Sequence, residues 1–275
     1  MIKIYSCHHK PYQQIQSDII FPMQVGKSSS KINLNIQGDN SLKNISIKNP
    51  YFCELTATYW IWQNEKADIV GLFHYRRFLN LKNNEIKVNK IHKNFANQYG
   101  LTQQNIQNIL EKYDIILPEK IKITETNLYD HYKSNHYQSD IDLVLNIIKE
   151  KHPSDYEIAN NALKNNSDMF LGNIIIARKE VFDLYAKWLF DILFEVENQI
   201  QADVLKRDAY QQRVYGFLAE RLMAIFIDTH PELKVKYQPL LFIEEDKKKY
   251  RKYKFKQLKR KILSLIGFRK KRWKI

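Results

Sequence analysis

Short apolar runs alternate along the chain with longer segments of helical periodicity. Each run is bounded by polar residues and has the length of a buried β-strand, about four to eight residues. The longer segments repeat their apolar residues as amphipathic helices do. This order is typical of an α/β domain with a mostly parallel central sheet flanked by helices. The predicted strands are 2–6, 68–73, 114–117, 170–177 and 233–243, and the predicted helices are 51–64, 139–151, 180–200 and 210–228.

Two local expectations concern a loop region and one helix. Residues 10–49 are polar and rich in turn residues, so we expect loops over one end of the sheet. Ser139 is the expected N-cap of the helix that follows it, because its hydroxyl can accept a hydrogen bond from the first turn. The expected buried residues of that helix are Ile141, Val144, Leu145 and Ile148.

The positive charge is concentrated at the C-terminal end. Of the 44 Lys and Arg residues, 15 lie in 247–275, where no acid occurs. The remaining 29 nearly balance the 30 acids of residues 1–246, although the whole chain has a net charge of +14. We therefore divide the chain into a nearly neutral domain, 1–246, and a basic tail, 247–275. A nucleic-acid-binding domain would carry its basic residues on the body, so this class is the weakest interpretation.

The tail also carries apolar residues at helical spacing. A basic amphipathic helix binds an anionic membrane surface, because its apolar face enters the lipid boundary and its cations meet the headgroups. We expect this role for the tail, with a nucleic-acid arm, a partner-binding segment or a solvated tail as alternatives. The apolar residues are Phe255, Leu258, Ile262, Leu263, Leu265, Ile266, Phe268 and Trp273.

The expected localisation is cytoplasmic, peripheral at the inner face of the cell membrane. Two cysteines, Cys7 and Cys53, fit a reducing compartment better than a disulfide scaffold. Residues 1–10 alternate like a strand and lack the apolar core of a signal peptide. No apolar run approaches the roughly 18 residues that a spanning helix needs.

Polar and basic residues follow the first two predicted strands. Ligands bind at the carboxyl ends of strands in such sheets, so these positions are candidate binding residues. The most unusual cluster ends in Arg76 and Arg77, whose planar guanidinium groups can donate paired hydrogen bonds to phosphate oxygens. Structural salt bridges are the alternative. The two clusters are His8, His9 and Lys10, of which at most one His can face a given ligand, and His74, Tyr75, Arg76 and Arg77.

Further candidates lie in a loop-like segment and on a late helix. The segment combines aromatic and polar side chains, which suits sugar rings and hydroxyls; a capped helix entry is the alternative. Its residues are Asp130, His131, Tyr132, His136 and Asp140. Asp140 and Asp142 form a D-x-D, but in the first turn of a predicted helix, where acids favour the helix dipole, so we expect no metal there. On the late helix, Glu220 is a candidate general base beside Arg221, with an internal salt bridge as the alternative.

These motifs resemble a family of bacterial proteins, once labelled only a domain of unknown function, that are described as capsular or exopolysaccharide biosynthesis glycosyltransferases. Some members are described as galactofuranosyltransferases. VGLFHYRRF together with GFLAERL is specific, and the resemblance spans nearly all of residues 1–243. One departure is Leu171-Gly172-Asn173, where an Asn followed by Met or Phe is expected. The matching segments include Gln24–Gly26, 39–46, Asn49, 54–56 (ELT), 59–62, 70–78, 114–118, 129–132, 136–140, Asn173 and 216–222.

The resemblance implies a GT-A-like nucleotide-diphospho-sugar fold. Arg76 and Arg77 take the place where many such enzymes carry a D-x-D, and their charges could stabilise the leaving diphosphate as a metal would. The metal requirement stays open, with Mg²⁺ and Mn²⁺ as candidates. The donor residues implied are Gly26, His8, His9, Lys10, His74, Tyr75, Arg76 and Arg77, and the acceptor residues are Asp130, His131, Tyr132, His136, Asn173 and Arg221.

The expected function is therefore an inverting hexosyltransferase. It would use a UDP donor, in particular UDP-galactofuranose, and a lipid-linked or growing surface glycan as acceptor, with Glu220 or Asp140 as the base. The rival interpretation is a non-catalytic module that its tail recruits to a polysaccharide assembly complex at the membrane.

Overall fold

The computed structural model describes residues 1–123 and 125–265. The strands in this part are β1 Ile2–His8, β2 Ile20–Gln24, β3 Gln37–Gly38, β4 Ile69–His74, β5 Arg77–Leu79, β6 Lys87–Val88, β7 Ile115–Pro118, β8 Ile121–Lys122, β9 Asp168–Met169, β10 Ile175–Arg178, β11 Val235–Gln238 and β12 Leu240–Ile243. The helices are α1 Asn49–Phe52, α2 Leu55–Asn64, α3 Phe95–Gln98, α4 Gln103–Leu110, α5 Leu128–Asn135, α6 Gln138–Lys151, α7 Tyr156–Asn165, α8 Lys179–Val204, α9 Val214–Thr229 and α10 Lys247–Leu265.

A mixed sheet runs through the centre of the molecule in the order β3-β2-β1-β4-β10-β7-β11. Strand β10 is antiparallel to both of its neighbours, and the other neighbouring pairs are parallel. The predicted α/β class with a mostly parallel sheet is therefore confirmed. The order runs outward in both directions from β1, with β2 on one side and β4 on the other. Such a reversal leaves a crevice at the carboxyl ends of the two strands.

The first half of the chain contains the strands that position this crevice. The predicted strands at 2–6 and 68–73 correspond to β1 and β4, which pair in parallel from Ile2 to Cys7. The expectation of loops alone in 10–49 was wrong, because this region contains β2 and β3. Strand β2 includes Pro22, whose lack of an N–H makes a strand hard to recognise from sequence.

Two strands of the second half differ from the prediction. The strand predicted at 170–177 begins only at Ile175, because Gly172 has a φ of 79° and the chain turns there. The single strand predicted at 233–243 is two strands separated by Pro239. Strand β11 pairs with β7, whereas β12 pairs with β5 and β6 beside the main sheet.

The helices begin and end close to their predicted positions, with two corrections. The helix predicted at 51–64 is divided into α1 and α2, because Cys53 between them has a φ of 52°. Ser139 was wrongly predicted as an N-cap: α6 starts at Gln138, and Ser139 is exposed within its first turn. The predicted inner face of this helix is confirmed, with Ile141, Val144, Leu145 and Ile148 buried.

Apolar clusters cover both faces of the sheet. Alternate residues of a strand point to opposite faces: Tyr5 and Cys7 of β1 pack into a large cluster with α2 and the helices α5 to α9, whereas Ile2 and Ile4 pack with α3, α4 and the strands beside β12. The sheet is therefore a buried middle layer, and its open end is the edge where β1 and β4 finish.

Helix α10 contains the described part of the basic tail. It contacts the domain beside β6, where Ile86 donates its N–H to the Tyr253 hydroxyl and Lys254 forms an ion pair of 3.0 Å with Glu85. Phe255 and Leu258 are 69% and 57% exposed. No helix in the described residues is both long and apolar enough to cross a membrane. The side chains of Ile262, Leu263 and Leu265, and the whole of Ile266, Phe268 and Trp273, lie outside the description.

Candidate functional site

A cleft of about 450 Å³ opens where β1 and β4 end. It lies at the crevice that the reversed strand order creates. Residues from both strand ends line it, together with the connection between α1 and α2 and the start of α9. The lining residues are Cys7, His9, Val25, Asn49, Pro50, Cys53, Glu54, His74, Tyr75, Arg76, Arg77, Arg213, Gly216, Phe217 and Glu220.

The end of β1 contributes one of its two histidines. His9 is exposed and lines the cleft, and its ring lies 5.1 Å from that of Tyr75. His8 is buried against Ser6, and burial lowers its pKa to about 4, so it is a neutral internal residue. Lys10 is exposed outside the lining, with its ammonium 5.5 Å from the Tyr75 ring. Only one of the two adjacent histidines therefore faces the cleft, as expected from their opposite orientations.

Gly26 supports the cleft wall without lining it. Its φ is 64°, and a Cβ atom there would lie 2.5 Å from Oδ1 of Asn49, which does line the cleft. The Gly26 N–H donates to the buried Asp39 carboxylate at 2.8 Å. The glycine thus serves a tight turn packed against Asn49.

A short hairpin joins β4 to β5 and presents the predicted arginine pair. All four residues from His74 to Arg77 line the cleft. Arg76 forms an ion pair of 2.8 Å with Glu245 at the rim and lies over the Tyr75 ring. The guanidinium group of Arg77 lies near Gly172, since a Cβ atom on that glycine would be 3.5 Å from its Nη1.

Glu220 faces this hairpin from α9. Its Oε1 accepts a hydrogen bond of 2.8 Å from the Gly172 N–H, and its Oε2 lies 3.2 Å from Nη1 of Arg221. Burial raises the pKa of Glu220, and the Arg221 charge opposes this rise only in part. Arg221 is 2% exposed and also donates to Nδ1 of His131, so it stands behind Glu220 and outside the cleft lining.

Glu54 is a second carboxylate of the cleft that the sequence analysis did not single out. Its Oε1 accepts a hydrogen bond of 2.7 Å from Asn173 and lies 3.5 Å from Nε2 of His74. Although burial opposes ionisation, His74 and the Asn173 hydrogen bond hold the pKa of Glu54 below its usual value. Burial lowers the pKa of His74, as do the charges of Arg77 and Arg213. Glu54 is the first residue of segment 54–56 of the family resemblance, and this position in a matching segment was a signal for it.

Arg213 and Phe217 are cleft residues that the sequence analysis did not name as candidates, although Phe217 lies within the GFLAERL motif. Arg213 directly precedes α9, and its Nε donates to Sγ of Cys53 at 3.2 Å. Its guanidinium group lies 5.3 Å from the Phe217 ring centroid. The spacing of Arg213, Phe217 and Glu220 along one helix face was the signal that could have found them.

The predicted acceptor residues at 130–140 lie beside the cleft and not in its lining. The loop interpretation of this segment was wrong, because most of it is helix α5. Asp130 accepts a hydrogen bond of 2.9 Å from Asn127 in the first turn of that helix. Tyr132 is fully buried, and His136 stacks on Phe217 at 4.3 Å between ring centroids.

Asp140, the alternative base, is 1% exposed and outside the cleft lining. Both of its oxygens accept hydrogen bonds from Arg207, at 2.6 and 2.8 Å. The carboxylate therefore has no contact with a ligand in the cleft. Asp142, the other acid of the D-x-D, accepts a hydrogen bond of 2.7 Å from the Tyr129 hydroxyl. The placement of this pair in the first turns of α6, rather than at a strand end, agrees with the prediction.

The cleft residues do not fit a resident Mg²⁺ or Mn²⁺. These ions prefer several carboxylate or carbonyl oxygens, whereas Glu54 and Glu220 direct oxygens to Asn173, Gly172 and Arg221. Among the described residues, no group of three His, Cys, Asp or Glu side chains is arranged to hold a metal ion. The positive charge in the cleft comes from its guanidinium groups.

A family model described as a domain of unknown function, DUF4422, matches residues 3–231. Among solved structures, the chain is similar to the apo structure of WbbM, a bifunctional glycosyltransferase, with a TM-score of 0.83 and 35% sequence identity. The similarity covers 88% of this chain but only 45% of that one, so this chain spans less than half of WbbM's length. No curated protein matches the chain. Because the family model covers most of its residues, the chain belongs to the DUF4422 family.

Proposed function

We propose that this protein is a glycosyltransferase that moves a hexose from a nucleotide-diphosphate donor to a glycan acceptor. The observation that carries the proposal is that one cleft contains both guanidinium groups and a carboxylate. Arg76 and Arg77 come from the hairpin after β4, and Glu220 comes from helix α9. Guanidinium groups bind diphosphate oxygens, and a carboxylate of raised pKa suits a general base. The similarity to WbbM supports a glycosyltransferase, and the strand order with β10 antiparallel is compatible with the proposed GT-A-like fold.

The proposed reaction is a single displacement with inversion. Glu220 accepts the proton of an acceptor hydroxyl, and the hydroxyl oxygen forms a bond to the anomeric carbon of the donor. The bond from that carbon to the diphosphate oxygen breaks, and its electron pair stays on the diphosphate. Arg76 and Arg77 offset the charge that develops there, while the Gly172 N–H fixes the Glu220 carboxylate.

The donor and acceptor follow from the family resemblance. UDP-galactofuranose is the proposed donor, and a lipid-linked or growing surface glycan of a capsule, lipopolysaccharide or exopolysaccharide is the proposed acceptor. Docking of α10 on the inner face of the cell membrane would bring the enzyme to such an acceptor. The exposure of Phe255 and Leu258 among basic residues supports this location.

The first test is the substitution Glu220→Gln. We expect it to abolish hexose transfer from UDP-galactofuranose to membrane-extracted acceptors while UDP binding persists, because the amide keeps the shape and cannot accept the proton. Glu157→Gln, which alters an exposed acid on α7, is the matched control. Turnover near the wild-type level would assign the base elsewhere. If the wild type turns over no nucleotide sugar, with or without Mn²⁺, the non-catalytic module becomes the better interpretation.

A further inference from the structure

The three guanidinium groups of the cleft are not equivalent. Arg76 is paired with Glu245, so an acid already compensates its charge. Arg77 and Arg213 form no ion pair with an acid in the part of the chain that the structure describes. They approach the cleft from different elements, Arg77 from β5 and Arg213 from the start of α9. Two guanidinium groups without an ion-pair partner among the described residues therefore reach the cleft from two separate elements, within electrostatic reach of Glu54 and Glu220.

Arg213 is held in position without the use of its terminal nitrogens. Its Nε donates to Sγ of Cys53, and the guanidinium plane lies near the ring of Phe217. Neither Nη1 nor Nη2 makes a hydrogen bond to a described residue. Because the guanidinium fork is planar and fixed by these contacts, its free N–H groups are preorganised for the oxygens of an anion.

The backbone beneath Arg213 is strained in a way that favours this contact. Cys53 has a φ of 52° and a ψ of −133°, which a residue with a Cβ rarely adopts. Gly216 allows the close approach of Cys53, since a Cβ atom on Gly216 would lie 3.2 Å from its Sγ. A strained backbone conformation persists only where the surrounding structure holds it, and strained residues are common at binding sites.

The position of Arg213 also relates it to the proposed base. Phe217 and Glu220 follow Arg213 by four and seven residues, and all three line the cleft. They therefore lie on one face of the helix. A ligand that contacts Arg213 is aligned with the same helix that carries Glu220.

We infer that Arg213 is the second half of a clamp on a nucleoside diphosphate, opposite Arg77. This inference rests on the proposed function and adds a donor-binding residue to it. A diphosphate presents oxygens to both sides of the cleft, so it can engage both guanidinium groups. A nucleoside monophosphate can satisfy only one side. Arg213 thus makes the cleft select diphosphates over monophosphates and holds the leaving group beside α9.

The test is calorimetric titration of the full chain with UDP and with UMP. Arg213→Ala should weaken UDP binding by about 10- to 100-fold, as expected for a lost charge-assisted hydrogen bond. It should weaken UMP binding much less, so the preference for UDP over UMP falls. Arg213→Lys should restore part of the UDP affinity, since the charge remains but the fork does not. Arg251→Ala removes an exposed arginine of α10 and is the matched control.

The outcomes separate the inference from the proposed function. If the wild type binds UDP and Arg213→Ala binds it equally well, the clamp is overturned and the transferase proposal stands. Equal losses for UDP and UMP, or a fall in Tm that accounts for the loss, would make Arg213 a structural residue and also overturn the clamp. If the wild type binds neither UDP nor pyrophosphate, the donor site of the proposed function fails together with the clamp.

Discussion

The carboxylate of Glu220 is subject to two opposing effects. Burial favours its protonated form, while the guanidinium group of Arg221 favours its ionised form. The balance leaves its pKa above the ordinary value for a glutamate. Arg221 was expected to bind the acceptor, but it is buried behind Glu220, so we assign it to the control of this balance.

The pH dependence of turnover should report this balance. A base acts only when it is ionised, so turnover is lost as the pH falls through the pKa of Glu220. Because that pKa is raised, we expect the acid limb of a kcat–pH profile above the value near 4.3 of a free glutamate. Arg221→Met removes the opposing charge and should move the limb to higher pH, whereas Arg251→Met should not. An unmoved limb in Arg221→Met would contradict the assignment.

The substitution Gly26→Ala tests whether the packing of the cleft wall depends on the left-handed backbone conformation at this position. Gly26→Ala places a Cβ atom 2.5 Å from the Asn49 side chain at a φ of 64°, whereas Gly172→Ala, at a φ of 79°, meets nothing closer than 3.5 Å. Left-handed backbone costs about 1 to 2 kcal/mol in both variants. We expect Gly26→Ala to lose a further 1 to 3 kcal/mol or so of unfolding free energy to overpacking, measured by urea denaturation. Equal losses would show that Asn49 moves aside freely.

At the scale of elements, helix α9 shows what sequence can and cannot predict. The polar residues that follow β1 and β4 could be singled out from sequence, because such residue types are unusual at the end of an apolar run. Glu220 could be singled out because a carboxylate is unusual on an apolar helix. Arg213 had only a weak signal, its spacing to Phe217 and Glu220, because a basic residue before a helix is common on protein surfaces. Its significance depends on α1 and Cys53, which are distant in sequence and pack against it only in the fold. The ion pair of Asp140 was unforeseen for the same reason, because its partner Arg207 is remote in sequence.

The ion pair between Asp140 and Arg207 joins α6 to the region after α8. Both side chains are buried, so removal of one charge strands the other in a medium of low polarity. We expect Arg207→Met to lower the unfolding free energy by about 3 to 5 kcal/mol. The double variant Arg207→Met with Asp140→Leu should recover most of the lost unfolding free energy, because no buried charge is then left unpaired. Urea denaturation of the two variants measures this. Asp140→Asn should retain turnover per folded molecule, and its loss would return Asp140 to consideration as the base.

At the scale of the whole molecule, the charge is distributed unevenly along the chain. The nearly neutral domain holds the cleft, and the tail holds the excess of basic residues. Glu245 connects them, because it pairs with Arg76 at the cleft rim two residues before α10 begins. The attachment of α10 to Glu85 and Ile86 leaves Phe255 and Leu258 facing away from the domain. The basic helix can therefore contact a surface without disturbing the core.

Vesicle binding tests this division. We expect the full chain to sediment with vesicles that contain phosphatidylserine and not with neutral phosphatidylcholine vesicles, because each basic residue near an anionic surface contributes about 1 kcal/mol. Phe255→Ser with Leu258→Ser keeps every charge, so it should weaken binding while leaving it salt-sensitive. Leu184→Ser, at another exposed apolar residue, is the control. Binding that both tail substitutions leave unchanged would mean that charge alone attaches the tail, whereas equal binding to neutral vesicles would exclude an electrostatic contribution.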